Sequence, residues 1–457
     1  MMNAIQDRGS ERQELAARVG NVVFYGTFGL LLLGPLMFGA VEPWSIFLVE
    51  AGSAGLLALW IVKQVIGGEV RIRMNLLFLP IGMFGALIAS QLIFRITAYR
   101  HATVSSALLY VAYGTLCFLA SQTLVRGSQA RRLALIFSIY GAAVASFALV
   151  QGISSNGKLF WLRQPRMGGW VYGPYVNHNH YAGLMEMLVP IPLVLSLTHL
   201  ASPRARNLAA TAAAVMVGTI FLSGSRGGML AIVTELVILG VVLAKQKRGW
   251  RTAIGLGLFA AVVAGLLIWV GGSVLSERIA SVGPLHSEIA GDIRSEINRD
   301  ALRMFLKKPA FGWGLGTFPV VYPEFRTFYT NFFVNQAHND YLQLLVETGC
   351  LGFATMVFFV VIICKTALRK VGNWSSDING AVALACLVGV SGILVHSAID
   401  FNLQIPANTA LFYVLCTIAV SPRFMTQARR RRVLRDYPEA QADSGNAQER
   451  EQQVTNF

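Results

Sequence analysis

The chain has 457 residues, of which 54% are apolar and only 13% are charged, and its formal net charge is +15. A typical soluble domain has about 25% charged residues, so this chain has roughly half the charge that a soluble surface requires. Its apolar residues come in runs of about 20, which is the length that crosses a hydrocarbon core about 30 Å thick. The composition predicts an all-α polytopic membrane protein. It excludes a nucleic-acid-binding protein, because the positive residues are not gathered in one soluble module.

Twelve transmembrane spans are predicted, nine before a long polar segment and three after it. The predicted ranges are 22–40, 44–66, 75–94, 103–125, 132–152, 180–199, 207–224, 228–245, 251–272, 341–364, 380–399 and 405–421. The predicted organisation is an N-terminal segment (1–21), spans one to nine (22–272), a long loop (273–340), spans ten to twelve (341–421) and a basic, then polar tail (422–457). The first run does not end in the small residues of a signal-peptide cleavage site.

The distribution of Lys and Arg predicts which side each loop faces. If the N-terminus is cytoplasmic, every inner segment has at least two basic residues, and most of the 38 Lys and Arg residues lie inside. Basic residues are enriched in cytoplasmic loops. The sequence therefore predicts that both termini are cytoplasmic and that residues 273–340 are outside.

The long outer loop contains one patterned stretch. Ile289, Ile293, Ile297, Ala301 and Phe305 recur every four residues, with charged residues between them. This period predicts an amphipathic helix that lies on the outer membrane surface or caps a cavity. The acidic residues of this stretch, Glu288, Asp292 and Glu296, are read as a solvated face paired with nearby arginines.

Four polar motifs precede predicted spans six, eight, ten and twelve, and all four are predicted to face outside. They are Tyr172–His180, Ser223–Gly228, Gln336–Tyr341 and Asp400–Pro406. Each lies at a helix N-terminus, where unpaired N–H groups and the helix dipole attract anions. A site made from such termini and arginines suits a phosphate or a diphosphate.

Individual residues in these motifs have both structural and chemical readings. Arg226 lies in a Gly-rich turn that a ligand can approach closely, although it can instead extend to lipid headgroups. Asp340 and Gln343 have the spacing of a capping box. His338 precedes that cap, has no evident structural duty, and is of the residue type best suited to act as a base near neutral pH.

Other polar residues give weaker indications. His178 and His180 lack a carboxylate or thiol partner nearby, so no metal site is predicted, and the five cysteines lie inside predicted spans without metal-like spacing. His396 and Asp400 are one helical turn apart and are expected to pair. Three carboxylates fall within predicted spans without an assignable partner: Glu186, Glu235 and Glu347.

Four stretches together resemble the O-antigen ligase and polymerase superfamily. They are Asn177–Gly183, Ser223–Gly228, Lys307–Gly316 and Ala337–Gly349, in which Ala-His-Asn-Asp-Tyr-Leu-Gln is the most specific match. Their order and spacing, with a large outer loop before span ten, extend the resemblance to nearly the whole chain. The resemblance implies a fold similar to the GT-C class and a metal-independent, inverting glycosyltransferase without a cofactor.

The superfamily's activity implies the substrates. An O-antigen ligase moves a glycan from undecaprenyl diphosphate to a sugar hydroxyl of lipid A-core, at the periplasmic face of the bacterial inner membrane. A polymerase of the same superfamily uses another lipid-linked repeat as the acceptor, and the sequence leaves both open. A lipid-linked glycan transporter is a weaker alternative, because its charged groups would lie near the bilayer midplane.

The resemblance also assigns roles to residues. His338 matches the histidine that would act as the catalytic base. Arg226 and Arg294 match diphosphate-binding arginines, and Arg299 and Arg303 lie close enough to Arg294 that a slip of one helical turn would change the choice. Arg166 is the candidate for a further basic residue before span six. Four neighbours in the same motifs are predicted to support the site: Asn177, His180, Asn339 and Asp340.

Overall fold

The computed structural model describes residues 2–68, 70–154, 156–164, 171–245, 291–330 and 333–424. Within these ranges the regular secondary structure is helical, apart from two isolated antiparallel bridges, Leu159 with Arg163 and Tyr172 with Tyr175. The prediction of an all-α polytopic membrane protein is confirmed.

Fourteen α-helices lie in the described ranges. In chain order they are α1 (Met2–Leu36), α2 (Pro43–Gly67), α3 (Phe78–Ile93), α4 (Arg100–Thr123), α5 (Gly127–Ser154), α6 (His178–Leu188), α7 (Pro190–Leu197), α8 (Pro203–Ser223), α9 (Arg226–Lys245), α10 (Gly291–Lys307), α11 (Phe318–Val321), α12 (Asp340–Leu368), α13 (Ile378–His396) and α14 (Pro406–Val420). Short 3-10 turns occupy Phe38–Ala40, Tyr322–Glu324, Val371–Asn373 and Asn402–Gln404.

The described helices agree with the predicted spans. Nine helical segments in these ranges are long and apolar enough to cross a membrane, with α6 and α7 forming one of them, and α3 and α14 are shorter apolar helices. Together they match eleven of the twelve predicted spans. The predicted span 251–272 lies outside the described residues, so the span count stays a prediction.

The α6–α7 segment and α13 form the centre of the bundle. Of their apolar stretches 83% and 72% is buried, against 22% in α2. Glycines bring the helices around them close together: an added Cβ at Gly389 of α13 would lie 2.9 Å from the carbonyl oxygen of Met187. At Gly392 it would lie 2.0 Å from Oε1 of Glu235 on α9. Protein contacts, rather than lipid, therefore fix the helices that carry the central polar motifs.

The amphipathic stretch of the outer loop forms α10, as the periodicity predicts. Ile297 and Ala301 are fully buried, and they pack with Phe318, Tyr322 and Val346 in a small core separate from the main bundle. The apolar face of α10 thus covers the segment that follows it and the start of α12. It is protein that buries this face.

Two hydrogen bonds join helix ends, one at each predicted side of the membrane. At the predicted inner side, Nδ2 of Asn75 donates to the carbonyl oxygen of Thr417 at 3.1 Å. At the predicted outer side, the backbone N–H of Asp340 donates to the carbonyl oxygen of Ser397 at 2.9 Å. The beginning of α12 is thereby joined to the loop between α13 and α14.

Candidate functional site

The loop Ser397–Ile405 lies where the predicted outer motifs meet. It joins α13 to α14, and most of its polar side chains are buried although it is a loop. A buried loop must satisfy its polar groups from neighbouring segments. Here the start of α6, the start of α12 and α10 all supply such partners, so three predicted motifs and one helix of the outer loop converge on it.

Asp400 is the residue on which two predicted site residues converge. Its Oδ1 lies 3.5 Å from Nδ1 of His338, and its Oδ2 lies 3.9 Å from Nη2 of Arg294. Arg294 also donates from Nη1 to the carbonyl oxygen of Ile399 at 3.1 Å. One buried carboxylate therefore holds an imidazole and a guanidinium together, although they come from segments more than 40 residues apart.

The electrostatics of Asp400 follow from this arrangement. Burial by itself would raise the pKa of Asp400, but the neighbouring His338, His180 and Arg294 outweigh burial, so the pKa of Asp400 lies well below its usual range. The carboxylate is therefore ionised at any pH near neutrality. A fixed negative charge next to an imidazole stabilises the imidazolium form, as in a catalytic His–Asp pair.

His338 adopts an uncommon backbone conformation. Its φ is +53°, in the left-handed region that residues other than glycine seldom adopt. Such strain persists only where surrounding contacts impose it, and it is concentrated at functional sites. Here the ring packs edge-to-face on Phe401, with ring centroids 4.8 Å apart. The imidazole is thus held between Phe401 and Asp400.

His180 lies on the other side of the same loop, at the start of α6. Its ring packs edge-to-face on Phe401 at 4.7 Å, and its Nδ1 lies 3.3 Å from Oδ1 of Asn402. Asn177 is the N-cap of α6, since its side chain accepts from the backbone N–H of Asn179. The structure therefore brings His180 to the site as a neighbour of Phe401, while Asn177 fixes the helix on which His180 lies.

The predicted capping box of α12 is wrong. The N-cap is Asn339, whose Oδ1 accepts from the backbone N–H of Leu342 at 3.1 Å. Asp340 instead accepts from the backbone N–H of Leu403 at 2.9 Å and from Nε2 of Gln404 at 3.1 Å. The carboxylate of Asp340 therefore accepts hydrogen bonds from the α13–α14 loop, which packs on the first turn of α12, and not from its own helix. Asn339 and Asp340 thus both fix the backbone that follows His338.

The expected pair between His396 and Asp400 is also wrong. Nδ1 of His396 lies 3.0 Å from Oε2 of Glu186, and both side chains are buried. Although the backbone N–H of Asp400 still donates to the carbonyl oxygen of His396 at 3.1 Å, the two side chains have partners on different elements. This contact gives Glu186, a carboxylate within a predicted span, a partner on α13.

Arg226 begins α9 beside the His396–Glu186 pair. An added Cβ at Gly227 would lie 2.3 Å from Nε2 of His396, so the first turn of α9 rests directly on that imidazole. Ser225 caps the helix by accepting from the backbone N–H of Gly228 at 3.1 Å. The side chain of Arg226 is exposed and makes no ion pair with any described residue. The backbone of Arg226 is thus fixed by the contacts of the first turn, and its guanidinium is accessible to a ligand.

The Gly-rich turn after α10 is held by a second intramembrane carboxylate. Glu347 accepts from the backbone N–H of Gly316 at 2.8 Å and of Phe318 at 3.3 Å. At Gly312, with φ +69°, an added Cβ would lie 2.4 Å from the carbonyl carbon of Glu347. Backbone therefore packs on backbone between the turn and a kink of α12 at Gly349. This contact fixes α10 relative to α12, and so Arg294 relative to His338.

The other two predicted arginines of α10 make no ion pair with Asp400. Arg299 is exposed, and Arg303 pairs with Asp300 at 3.2 Å. Of the three candidates on α10, only Arg294 contacts Asp400, which favours the predicted register. Arg166 lies outside the described residues. Within the described ranges, no three His, Cys, Asp or Glu side chains come together in a way that could hold a metal ion.

Three residues of the site had no role in the prediction from sequence: Phe401, Asn402 and Glu186. The polar motif Asp400–Pro406 is the feature that points to the first two, since it lies at the same side as the histidine motifs. Nothing local identifies Glu186 as a partner of His396, because the two are 210 residues apart in sequence.

One family model matches residues 211–357 of the chain, and the family is described as O-antigen ligase. The matched range begins within α8 and ends within α12, so it includes Arg226, Arg294 and His338, whereas His180 and Asp400 lie outside it. No curated protein matches the chain. The family resemblance inferred from the sequence is confirmed.

Proposed function

We propose that the protein is an inverting glycosyltransferase, on the ground that residues 211–357 match the O-antigen ligase family model. Its donor is a glycan linked to undecaprenyl diphosphate, and its acceptor is a sugar hydroxyl of lipid A-core. The reaction takes place at the periplasmic face of the inner membrane, and it needs neither a metal nor a cofactor.

His338 is the proposed base. A sugar hydroxyl is weakly acidic, so its proton must be removed as its oxygen attacks the anomeric carbon. The imidazole of His338 takes that proton, and the bond between the anomeric carbon and the diphosphate oxygen breaks with its electron pair leaving on the diphosphate. Asp400 stabilises the resulting imidazolium, since its carboxylate lies 3.5 Å from Nδ1 of His338.

Arg226 and Arg294 are the proposed diphosphate ligands. The leaving group gains negative charge in the transition state, and cations already in place stabilise that charge without reorganisation. Guanidinium binds phosphate oxygens through two parallel N–H groups and stays charged. The N-terminus of α9, where Arg226 lies, adds backbone N–H groups of the kind that bind anions. Arg166 remains a predicted third ligand, and Arg299 and Arg303 are the alternatives to Arg294.

An apolar cavity offers room for part of the lipid chain of such a donor. Its volume is about 330 Å³, and it lies within the bundle between α3, α4, α12 and α14. Residues of all four helices line it, among them Ile88, Tyr110, Phe359 and Tyr413. The cavity reaches Leu92 near the outer end of α3, so a chain that enters it would leave its diphosphate at the outer side.

One observation carries the proposal: a single buried carboxylate, Asp400, holds both the candidate base and a candidate diphosphate ligand. A base and a phosphate-binding cation at one point are what glycosyl transfer from a diphosphate requires.

The test is turnover by purified protein. The donor is a lipid-linked repeat unit, supplied with lipid A-core or with no further acceptor. We expect transfer to lipid A-core that is unaffected by a chelator. Replacing His338 by alanine should lower the rate by about 10²- to 10⁴-fold, the usual contribution of a positioned base, while leaving donor binding nearly unchanged.

His101 supplies the matched control, because it is a histidine on a predicted outer segment that makes no contact with Asp400 or Phe401. His101→Ala should turn over like the wild type. A ladder formed on the donor lipid without lipid A-core would make the protein a polymerase instead. Wild-type turnover by His338→Ala would refute the assignment of the base, and a strict requirement for a divalent metal would refute the metal-independent mechanism.

A further inference from the structure

Five aromatic rings meet at the predicted outer ends of α1, α2 and α5. We call them the outer aromatic cluster: Phe38, Trp44, Phe147, Phe160 and Trp161. The ring of Phe160 stacks on Phe147 at 5.1 Å and lies 5.7 Å from Phe38, while Trp161 packs edge-to-face on Phe147 at 5.8 Å. None of the five is buried. The cluster therefore presents aromatic surface to a ligand.

Three residues of the cluster have an uncommon backbone conformation. The φ values of Phe38, Phe160 and Trp161 are +60°, +50° and +60°. Bulky residues seldom adopt this left-handed region, and conformations of this kind persist at ligand-binding positions, where neighbouring contacts impose them. The indole Nε1 of Trp161 is also held, since it donates to the carbonyl oxygen of Ser154 at 3.1 Å. The rings are thus fixed in place.

An ion pair lies against these rings. Nη2 of Arg163 donates to Oε1 of Glu42 at 2.5 Å, and the guanidinium carbon lies 4.6 Å from the ring centre of Phe38. The Arg163 side chain is 30% exposed and that of Glu42 is 22% exposed. A guanidinium has five N–H donors and a carboxylate about four acceptor positions, so one contact between them leaves hydrogen-bonding capacity on both. Because the two charges offset each other, this pair suits a neutral, hydroxyl-rich ligand better than an anion.

The outer aromatic cluster adjoins the candidate site. The turn that carries Phe38 continues into Gly39, where an added Cβ would lie 3.0 Å from Cγ2 of Ile405. Ile405 ends the loop that carries Asp400 and Phe401. A ligand on the rings would therefore lie next to the loop that holds His338.

We propose that the outer aromatic cluster, with Arg163 and Glu42, binds the acceptor saccharide. Aromatic rings would pack on the apolar faces of sugar rings, and the Arg163–Glu42 pair would bind hydroxyl groups. This proposal rests on the proposed function, because only a glycosyltransferase has an acceptor saccharide. Aromatic residues also occur at membrane interfaces as lipid anchors, but an anchoring role requires neither a fixed ion pair nor three left-handed residues.

The test measures saccharide binding without catalysis. Purified protein in detergent is titrated with two soluble probes, core oligosaccharide freed of lipid A and the oligosaccharide of one repeat unit. We expect one of them to bind. Phe160→Ala should weaken its binding about three- to tenfold, as loss of an aromatic contact does, and Arg163→Gln should weaken it at least as much. Phe94→Ala is the matched control, since Phe94 follows α3 at the same outer side and is 73% exposed.

Two further measurements separate the outcomes. Trp44→Ala changes an exposed ring of ordinary backbone conformation in α2, so it tests the cluster if the Phe160 variant melts at a lower temperature. Steady-state turnover should show a raised KM for acceptor with the KM for donor unchanged. Binding of a saccharide without any transfer would refute the proposed function and leave this site standing. If neither probe binds, if all variants bind like wild type, or if the variants change only partitioning into lipid vesicles, the saccharide site is refuted.

Discussion

Replacing Asp400 by asparagine removes the charge that His338 and Arg294 share and keeps the shape of the side chain. An amide oxygen can still accept from the backbone N–H of Phe401, which now donates to Oδ1 of Asp400 at 2.8 Å. The variant is therefore expected to fold with the α13–α14 loop in place. What the variant loses is the electrostatic interaction of the carboxylate with His338 and Arg294.

The size of the loss follows from the distance. Two opposite charges about 4 Å apart interact by about 4 kcal/mol when the effective dielectric constant is about 20, and the carboxylate lies 3.5 Å from the imidazole. Proton transfer is partial in the transition state, and the amide dipole retains some of the interaction. About 2–3 kcal/mol should be lost, and each 1.36 kcal/mol is tenfold in rate. We expect kcat to fall by about 10²-fold, with a smaller rise in the KM for donor through Arg294.

The pH dependence provides a second readout. Because its folded pKa lies below the usual carboxyl value, Asp400 contributes stability above about pH 4. That contribution is lost as the pH falls through the folded pKa. Asp400 therefore does not titrate in an assay between pH 5 and 9. Because the charge that the variant lacks is present in the wild type throughout this range, kcat of Asp400→Asn should lie below that of the wild type at neutral and at alkaline pH.

The matched control is Asp377→Asn at the predicted inner end of α13. Asp377 is the N-cap of that helix and accepts from the backbone N–H of Asn379, and asparagine caps as well as aspartate. This control should keep wild-type kcat and the same pH profile. A kcat for Asp400→Asn within threefold of wild type at neutral pH would show that Asp400 does not act on the base.

Three further changes test other parts of the structure. Gly312→Ala should lower the free energy of unfolding by about 2 kcal/mol or more, because the left-handed conformation alone costs about 1–2 kcal/mol and the new Cβ meets backbone. The control is Gly82→Ala, where nothing lies within 4 Å of the new Cβ. It should leave the melting temperature unchanged or raise it. Arg226→Lys keeps a charge but loses the planar guanidinium, so the rate of transfer should fall at least tenfold. The control is Arg204→Lys, at an exposed position near the start of α8, which should turn over normally. Equal rates for the two variants would remove Arg226 from the site. In a cysteine-free background, Glu324→Cys should label from outside intact cells and Arg204→Cys only after permeabilisation, and labelling of both from one side contradicts the topology.

The sequence predicts the elements of this fold well because burial in lipid imposes a long apolar run on each span. The amphipathic helix is equally readable: the four-residue period places Ile297 and Ala301 on one face, and both are buried. What the period does not give is the surface that covers this face. A lipid surface and an apolar protein surface would bury this face equally well, so only the packed structure shows that α10 lies on Phe318 and Tyr322.

The partners of the polar residues are predicted poorly, and the failures have one physical cause. A spacing of three or four residues indicates a contact only while the helix continues. Helix α12 begins at Asp340, so Asp340 cannot cap it. Helix α13 ends at His396, and although the backbone N–H of Asp400 still donates to the carbonyl oxygen of His396, the Asp400 side chain contacts His338 and Arg294 instead. At helix ends the backbone turns, and side chains contact elements that are distant in sequence. The site consists of such ends.

The two halves of the proposed chemistry are coupled because Asp400 belongs to both. Before the glycosidic bond begins to break, the carboxylate of Asp400 interacts with both Arg294, at 3.9 Å, and His338, at 3.5 Å. As the glycosidic bond breaks, the leaving diphosphate gains negative charge and attracts Arg294 more strongly. Less of the Asp400 charge is then offset by the guanidinium, at the moment when His338 takes a proton and requires that charge. Departure of the leaving group would thus strengthen the base at the moment when the acceptor hydroxyl loses its proton.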